Sequence, residues 1–313
     1  MTSFSVVTYM RESRSIVERF VAYYRSLGAQ HIQIYFDGSI DTIADLSDGT
    51  VSIAPCDDAF WAAGPGHRPA GLEVAQAFCF MAGYLAAKTD WVMILDADEF
   101  VFGPLSVSEM LEQVPDDIDA LILPTAEAVS LPEDKDPFSV FSSTGFRLAT
   151  EGSGIWIERA VYGWSLSRVL RHGLMGHADG KQILRTGKRF DKIGCHRAFR
   201  DGSEHGSYAK TISPDFAGMY VGHYDAIGFE RWKDKWSARL DGTTRAEDMS
   251  KRRLRQLELA RVAFEQGDKA LRRLYARCFS LNRFQWHVLK KLGLAFQKDI
   301  FAVAPRLDPS DKG

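Results

Sequence analysis

The chain has 313 residues, enough for one large α/β domain with an extension or for two domains. Its 45% apolar and 26% charged residues are ordinary globular values and exclude a disordered chain. The four cysteines form no C-x-x-C pair, which excludes a zinc ribbon and a disulfide framework and favours a reduced, cytoplasmic setting. The N-terminus has no secretory pattern, and no stretch approaches about 18 apolar residues, the length of a membrane span.

The net charge of −2 hides an uneven distribution of charge. Residues 251–303 carry 13 Lys and Arg against 4 Asp and Glu, so the remainder of the chain is acidic. An acidic body with a basic end argues against a nucleic-acid-binding protein, whose basic patch lies on the main surface. It suits a cytoplasmic protein whose residues 251–303 touch the anionic inner face of a membrane peripherally. Packing of these residues on the main domain or on a partner is the other interpretation.

The first hundred residues alternate strand and helix, an order that predicts a parallel sheet with right-handed crossovers. Apolar runs, one helical face and turn residues give the following elements in chain order: a strand at 4–9, a helix at 13–27, strands at 31–36 and 51–54, a loop at 55–69, a helix at 72–88 and a strand ending at 95.

The pattern is less regular after residue 104. We predict a helix at 107–114 and strands at 120–124, 155–162, 182–185, 191–196 and 219–224, some of the last four antiparallel. A mostly helical segment follows at 229–301. The predicted fold class is therefore α/β, a mostly parallel sheet flanked by helices with a helical C-terminal extension. Residues 1–228 are expected to form the catalytic domain and residues 229–313 the basic helical extension.

The most informative stretch is WVMILDADEF, in which a buried-type strand ends in Asp96, Asp98 and Glu99. Ligands of open α/β sheets bind outside the carboxyl ends of the strands. Side chains two apart on an extended chain point to the same side, roughly 6 to 7 Å apart. Two such carboxylates can hold Mg²⁺ or Mn²⁺ together with a hydroxyl-bearing ligand. Capping of a loop or helix is the plainer interpretation.

Two other strand ends fall at the same edge of the predicted sheet. Thr8 to Glu12 follows the first strand, with Arg11 among its residues, and Asp37 follows the second. Carboxylates gathered at one edge repel each other unless a cation or ligand hydroxyls use them. For Asp37, in an Asp-Gly pair, a solvated turn is the alternative. The absence of G-x-G-x-x-G and G-x-x-x-x-G-K-[ST] argues against dinucleotide and P-loop sites.

These residues resemble the GT-A glycosyltransferases of the family 2 type, in the bacterial branch with a D-x-D-E-F strand end. The resemblance covers about residues 4–240. It consists of four blocks in chain order. The first is Thr8 to Glu12 with the turn of Asp37, Ser39, Asp41 and Thr42, and the second is the helix around Gln76 with DADEF. The third is residues 180–196, and the fourth is His223-Tyr224 with the helix after it. Arg11 stands where the branch usually has Asn, and the usual downstream Glu-Asp pair with the catalytic base is not evident.

The resemblance implies roles for the strand-end residues. Asp96 is expected to contact the ribose and Asp98 to bind Mn²⁺ or Mg²⁺, while Thr8, Arg11, Glu12 and Asp37 are expected at the nucleotide-sugar. The implied activity is transfer of a sugar from a nucleotide diphosphate sugar to a hydroxyl of a glycan or lipid-linked acceptor, with inversion.

The other candidate site residues also have simpler structural explanations. His223, and next His196, could complete the metal shell, although a lone histidine is usually structural. Lys181 and Arg185 could bind phosphate oxygens or be surface charges. Glu158 and Asp191 are the candidates for the base that deprotonates the acceptor.

Two other functions agree with part of the sequence. A sugar-phosphate nucleotidyltransferase uses a related sheet and acidic metal ligands, but its Gly-rich phosphate loop with a Lys near the first strand is missing. A non-catalytic carbohydrate-binding protein of the same fold is the second rival, because no base is secure. A haloacid-dehalogenase-type phosphatase also has D-x-D after a strand, but Glu99-Phe100 does not match its next residues.

Overall fold

The structure, a computed structural model, describes residues 1–136, 138, 144–150, 154–204, 208–209, 218–225, 227–241 and 250–302. Its strands are β1 (Phe4–Met10), β2 (His31–Phe36), β3 (Val51–Pro55), β4 (Trp91–Ile94), β5 (Glu99–Phe102), β6 (Ala120–Leu123), β7 (Thr125–Val129), β8 (Gly145–Leu148), β9 (Lys181–Arg185), β10 (Lys192–Ile193), β11 (Ala198–Arg200), β12 (Ser203–Glu204), β13 (Tyr208–Ala209), β14 (Tyr220–His223) and β15 (Ala295–Gln297).

Its α-helices are α1 (Arg14–Ser26), α2 (Asp58–Ala63), α3 (Leu72–Ala86), α4 (Val107–Glu112), α5 (Gly154–Ser167), α6 (Phe229–Leu240), α7 (Lys251–Glu265), α8 (Asp268–Phe279) and α9 (Arg283–Lys291). Two short 3₁₀ turns lie at Ile40–Thr42 and Ala44–Leu46. No helix among the described residues is long and apolar enough to cross a bilayer.

The chain divides into two compact units. The first comprises Met1–Pro124, Asp179–Val221 and Phe301–Gly313, and the second comprises Thr125–Ala178 and Gly222–Ile300. The second unit thus draws on a segment before residue 178 as well as on the helices after residue 228. The boundary at 228/229 stays a prediction.

A seven-stranded sheet forms the centre of the first unit. Its order is β13-β6-β9-β4-β1-β2-β3. Strands β3, β2, β1 and β4 are parallel neighbours, while β9 runs antiparallel to both β4 and β6. The predicted α/β class, with a mostly parallel sheet flanked by helices, is confirmed. Strand β9, at the predicted strand 182–185, is antiparallel, as was expected of some of the strands after residue 104.

Helix α3 packs on this sheet through a position that only glycine can occupy. Gly83 approaches β1 so closely that a Cβ there would lie 2.5 Å from Cγ1 of Val7. The apolar core at this interface also contains Cys79, Phe80 and Tyr84 of α3. This close contact holds α3 against β1.

Two sequence predictions of secondary structure are wrong. The predicted loop at 55–69 contains helix α2, which begins after Asp57, whose Oδ1 accepts a hydrogen bond from the amide of Phe60 at 2.8 Å. The predicted strand at 155–162 is part of helix α5. The buried residues of α5 follow a helical spacing. The sequence does not show this amphipathic pattern, because the charged Glu158 is buried whereas the apolar Ile155 and Trp156 are exposed.

In the second unit, β15, β8 and β7 lie side by side as antiparallel neighbours, and helices α5 to α9 account for most of the remaining described residues. The predicted helical segment at 229–301 is therefore confirmed for α6 to α9, with β15 after them. A buried ion pair between Arg147 and Glu127 links β8 to β7. Glu127 also accepts the amides of Met175 and Gly176, so this buried acid is fully used in holding the unit together.

Candidate functional site

The acids of WVMILDADEF lie in a tight turn, not on an extended strand. Strand β4 ends at Ile94, and the amide of Glu99 donates to the carbonyl of Asp96 at 3.1 Å. The side chain of Glu99 closes the turn from the other side, because its Oε2 accepts the amide of Asp96 at 2.9 Å. The expectation that Asp96 and Asp98 share one side of an extended chain is therefore wrong.

Lys181 is the residue that organises this turn. Its ammonium nitrogen lies 2.6 Å from Oδ2 of Asp96 and 3.0 Å from Oε2 of Glu99. The side chains of Lys181 and Glu99 are fully buried. Burial alone would lower the pKa of Lys181, but the charges of Asp96 and Glu99 raise it above the ordinary value. The lysine therefore stays charged and neutralises the two acids.

The position of Lys181 follows from the antiparallel course of β9. Ile183 pairs with Met93 of β4, so the start of β9 lies beside the end of β4. A parallel strand in that place would have put its first residue at the opposite edge of the sheet. The role predicted for Lys181 was a phosphate contact, whereas its ammonium is enclosed by carboxylates of its own chain.

Gln76 contacts Asp96 directly, and Cys195 contacts Gln76. Nε2 of Gln76, on helix α3, donates to Oδ1 of Asp96 at 3.3 Å, and the thiol of Cys195 donates to Oε1 of Gln76 at 3.0 Å. Burial, with Asp96 nearby, raises the pKa of the Cys195 thiol to about 12. The thiol is thus a protonated hydrogen-bond donor and not a nucleophile at neutral pH.

Helix α1 holds the far side of the turn through a tyrosine. The hydroxyl of Tyr24 donates to the carbonyl of Glu99 at 2.7 Å and accepts the amide of Val101 at 3.2 Å. Tyr23 donates to the carbonyl of Val101 at 2.8 Å. Burial raises the pKa of Tyr24 well above its usual range, so this hydroxyl is always protonated. The backbone that carries Glu99 is therefore anchored to a helix.

The end of β2 brings Asp37 to the same edge of the sheet. The amide of Asp37 donates to the carbonyl of Met10 at 2.8 Å, which places it beside the end of β1. Its carboxylate pairs with Arg68 and hydrogen-bonds the hydroxyl of Tyr9. Burial, followed by the charge of Asp37, raises the pKa of Tyr9. Arg68 lies in the segment predicted as a loop, and no sequence pattern pointed to it.

The remaining predicted nucleotide contacts follow β1. The hydroxyl of Thr8 is buried and has no hydrogen-bond partner among the described residues. Glu12 is half-buried and Arg11 is exposed. All three lie on or directly after β1, whose parallel pairing with β2 and β4 brings its end to the edge of Asp37 and Asp96.

Arg185 and Asp191 lie elsewhere in the first unit. Arg185 pairs with Trp91, at the start of β4, so it lies at the opposite edge of the sheet from Asp96. Its guanidinium stacks on the ring of Trp91 and donates to the carbonyls of Ile118 and Pro115. Asp191 precedes β10 and accepts the amides of Asp201 and Gly202, in the turn between β11 and β12. Neither side chain is brought to the acidic turn.

Three other predicted site residues, His196, His223 and Glu158, make the following contacts. His196 donates from Nδ1 to the carbonyl of Gly180 at 2.9 Å, so a metal bond from this ring has to come from Nε2. His223 lies at the end of β14 in the second unit, its ring 4.8 Å from that of His177. Glu158 is buried in the second unit and accepts the hydroxyl of Thr150 at 2.8 Å. The roles of all three stay predictions.

Comparison with known proteins gives only loose likenesses. No family model matches the chain, and no curated protein matches it. Among solved structures, it is similar to HddC from Yersinia pseudotuberculosis, with 14% identity, coverage of 72% of this chain and 90% of that one, and a TM-score of 0.31. It is also similar to 4-diphosphocytidyl-2C-methyl-D-erythritol synthase from Anaerococcus prevotii, with 11% identity, coverage of 59% and 71%, and a TM-score of 0.27.

A third similar structure is residues 1–349 of TarS from S. aureus, with 15% identity, coverage of 59% of this chain and 47% of that one, and a TM-score of 0.25. TM-scores of this size support no argument about activity or substrate.

Proposed function

We propose that this chain is a metal-dependent glycosyltransferase that moves a sugar from a nucleotide diphosphate sugar to a hydroxyl of a glycan or lipid-linked acceptor, with inversion at the anomeric carbon. The observation that supports this most is the convergence of strand ends. The parallel strands β1, β2 and β4 end at one edge of the sheet and carry Asp37 and the acidic turn Asp96–Glu99 there. The resemblance of these blocks to the family 2 glycosyltransferases supports the same function.

The donor chemistry at this edge fits Mg²⁺ or Mn²⁺, which prefer carboxylate oxygens. Lys181 already uses Oε2 of Glu99 and Oδ2 of Asp96. In this proposal Asp98 is the principal metal ligand and Asp96 contacts the ribose, as the resemblance implies. A metal ion bound there would neutralise the charge on the departing nucleoside diphosphate.

The protein side chains around this site have positioning roles in the proposal. Lys181 and Glu99 set the shape of the turn, and the Tyr24 hydroxyl anchors its backbone. The buried hydroxyl of Thr8 and the carboxylate of Asp37 are hydrogen-bonding groups for the nucleoside at the same edge. The proposed candidates for the base that deprotonates the acceptor are Glu158, which accepts the hydroxyl of Thr150, and Asp191, which accepts the amide of Asp201.

Binding of nucleoside diphosphates, measured by calorimetry with and without Mn²⁺, tests this function. We expect the full-length protein to bind one of them tightly with Mn²⁺ and weakly after chelation. Asp98→Asn should weaken the Mn²⁺-dependent binding by at least about tenfold, a free-energy change of about 1.4 kcal/mol. Failure of every nucleoside diphosphate to bind, with or without Mn²⁺, would refute the proposal.

Asp58→Asn is the matched control, because Asp58 is an exposed acid of the same unit on helix α2. It should bind nucleotide as the unchanged protein does. A nucleotidyltransferase would instead bind a nucleoside triphosphate in preference to the diphosphate and would release pyrophosphate with a sugar phosphate. That result would replace the present proposal with the rival one.

A further inference from the structure

Helix α5 of the second unit exposes two tryptophans. Trp156 is 72% exposed and Trp164 is 58% exposed, although burial of a tryptophan ring is strongly favourable in water. The guanidinium of Arg159 lies over both rings, 5.4 Å from the centroid of Trp156 and 4.0 Å from that of Trp164. The two rings thus flank one cation at the surface of the unit.

Helix α9 adds apolar side chains next to α5. Nε2 of Gln285, in the first turn of α9, donates to the carbonyl of Val161 of α5 at 3.1 Å, so the two helices are in contact. Phe284 is 61% exposed and Leu292 is 51% exposed. They lie eight residues apart, at positions that share one side of a helix. We call the exposed residues Trp156, Trp164, Phe284 and Leu292, with the cations beside them, the aromatic-basic face.

The charge of this face has one sign. Among the described residues, no carboxylate forms an ion pair with any of its five cations, which are Arg159, Arg168, Arg283, Lys290 and Lys291. Helix α9 contains no acid, and the one acid of α5, Glu158, is buried. Exposed tryptophan rings beside unpaired Lys and Arg are the composition that binds at the boundary between lipid headgroups and acyl chains.

We propose that the aromatic-basic face docks the protein on a lipid bilayer that carries anionic headgroups. The rings of Trp156, Trp164 and Phe284 enter the headgroup region, and the cations contact lipid phosphates. This inference rests on the second unit and is independent of the proposed sugar transfer. The sequence predicted membrane contact through residues 251–303. The face proposed here instead includes α5, which lies outside that range, and does not require α7 or α8. A neutral glycan would stack on the rings but would not neutralise the five positive charges. An anionic bilayer contacts both, so it is the favoured partner.

Co-sedimentation of the full-length protein with vesicles tests this inference. We expect binding to vesicles of equal parts phosphatidylglycerol and phosphatidylcholine, weak binding to phosphatidylcholine alone, and weaker binding as the salt concentration rises. The double change Trp156→Ser and Trp164→Ser should reduce binding by at least about tenfold. The double change Lys290→Gln and Lys291→Gln should reduce it roughly thirtyfold at low salt.

Leu85→Ser is the control for exposed apolar surface, because Leu85 is 74% exposed on helix α3 of the first unit. It should leave vesicle binding unchanged. The inference fails if the unchanged protein stays in the supernatant with anionic vesicles, or if both double variants bind as it does. It also fails if the Trp variants bind vesicles normally and a soluble oligosaccharide quenches tryptophan fluorescence only in the protein that has both rings. That result would show that the face binds carbohydrate.

Discussion

The ammonium nitrogen of Lys181 lies 2.6 Å from Oδ2 of Asp96 and so places a buried cation against the first acid of the D-A-D sequence. The same nitrogen is 3.0 Å from Oε2 of Glu99, which is itself fully buried. Two of the three acids in the turn therefore share an internal counter-ion. Without that cation, two carboxylates would face each other in a site of low dielectric, where their repulsion is strong.

Replacing Lys181 with Met should lower the free energy of unfolding by roughly 3 to 5 kcal/mol, because it leaves Glu99 as an uncompensated buried charge. Urea denaturation at pH 7 measures the loss. Adding Glu99→Gln to the Lys181→Met variant should restore part of it, since the repulsion between the two acids is then removed. An additive double variant would contradict the role of Lys181 as their counter-ion.

Lys188 offers the matched control for this prediction. It pairs with Asp119 at 2.8 Å in the same unit, but its side chain is 35% exposed. Lys188→Met should cost less than about 1 kcal/mol, as partly solvated ion pairs do. Equal losses for the two lysine variants would show that burial is not the deciding factor.

Replacing Tyr24 with Phe should destabilise the first unit by about 1 to 3 kcal/mol, because the hydroxyl serves both the carbonyl of Glu99 and the amide of Val101. Thermal denaturation measures the effect. Tyr35→Phe is the control, since Tyr35 is a buried tyrosine whose hydroxyl makes no hydrogen bond among the described residues. If Tyr24→Phe is as stable as Tyr35→Phe, the anchoring of the turn by α1 is not significant.

Replacing Gly83 with Ala should also be destabilising, although alanine favours a helix. The new Cβ would lie 2.5 Å from Cγ1 and 2.9 Å from Cγ2 of Val7 on β1. Overpacking of this kind costs about 1 to 3 kcal/mol, against a gain of about 1 kcal/mol in helix propensity. Gly49→Ala, where no atom lies within 4 Å of the new Cβ, should be nearly neutral. A Gly83→Ala protein more stable than the unchanged one would contradict this packing.

The stability of the second unit should fall in acid through Asp225. Its carboxylate is 2.6 Å from Nζ of Lys235 and its side chain is 9% exposed. Burial raises the pKa of Asp225, but the positive charges of Lys235, His223 and Arg253 together outweigh burial and hold the pKa well below the ordinary value of 3.8. A group whose pKa is lowered by folding stabilises the protein above its unfolded pKa and loses that contribution as the pH falls below it.

Asp225→Asn should therefore lower the melting temperature at pH 7 and flatten its dependence on pH below about 4. Differential scanning calorimetry of both proteins between pH 7 and pH 3 measures this. Asp268→Asn serves as a comparison, because Asp268 pairs with Lys233 and Arg272 but is 51% exposed. Parallel pH profiles for the unchanged and Asp225→Asn proteins would exclude Asp225 as the source of acid sensitivity.

Much of the first unit could be predicted because its signals are local. The helical face from Ile16 to Tyr24, the glycine after it, and the apolar run before Asp96 each depend on residues close in sequence, and the structure has α1 and β4 where they were expected. The same local reasoning was wrong for α5, because tertiary packing buried Glu158 and exposed Trp156 against their usual preferences.

The sequence by itself determined that parallel strands bring acids to one edge of an α/β sheet, since alternating strands and helices of these lengths have few other arrangements. Only the tertiary structure decided what those acids do. The reversed direction of β9 is set by its pairing with β4, about ninety residues away in sequence, and with β6, about sixty residues away. It puts the ammonium of Lys181 between Asp96 and Glu99. Strand direction depends on long-range pairing and not on local pattern, so this counter-ion becomes visible only in the folded chain.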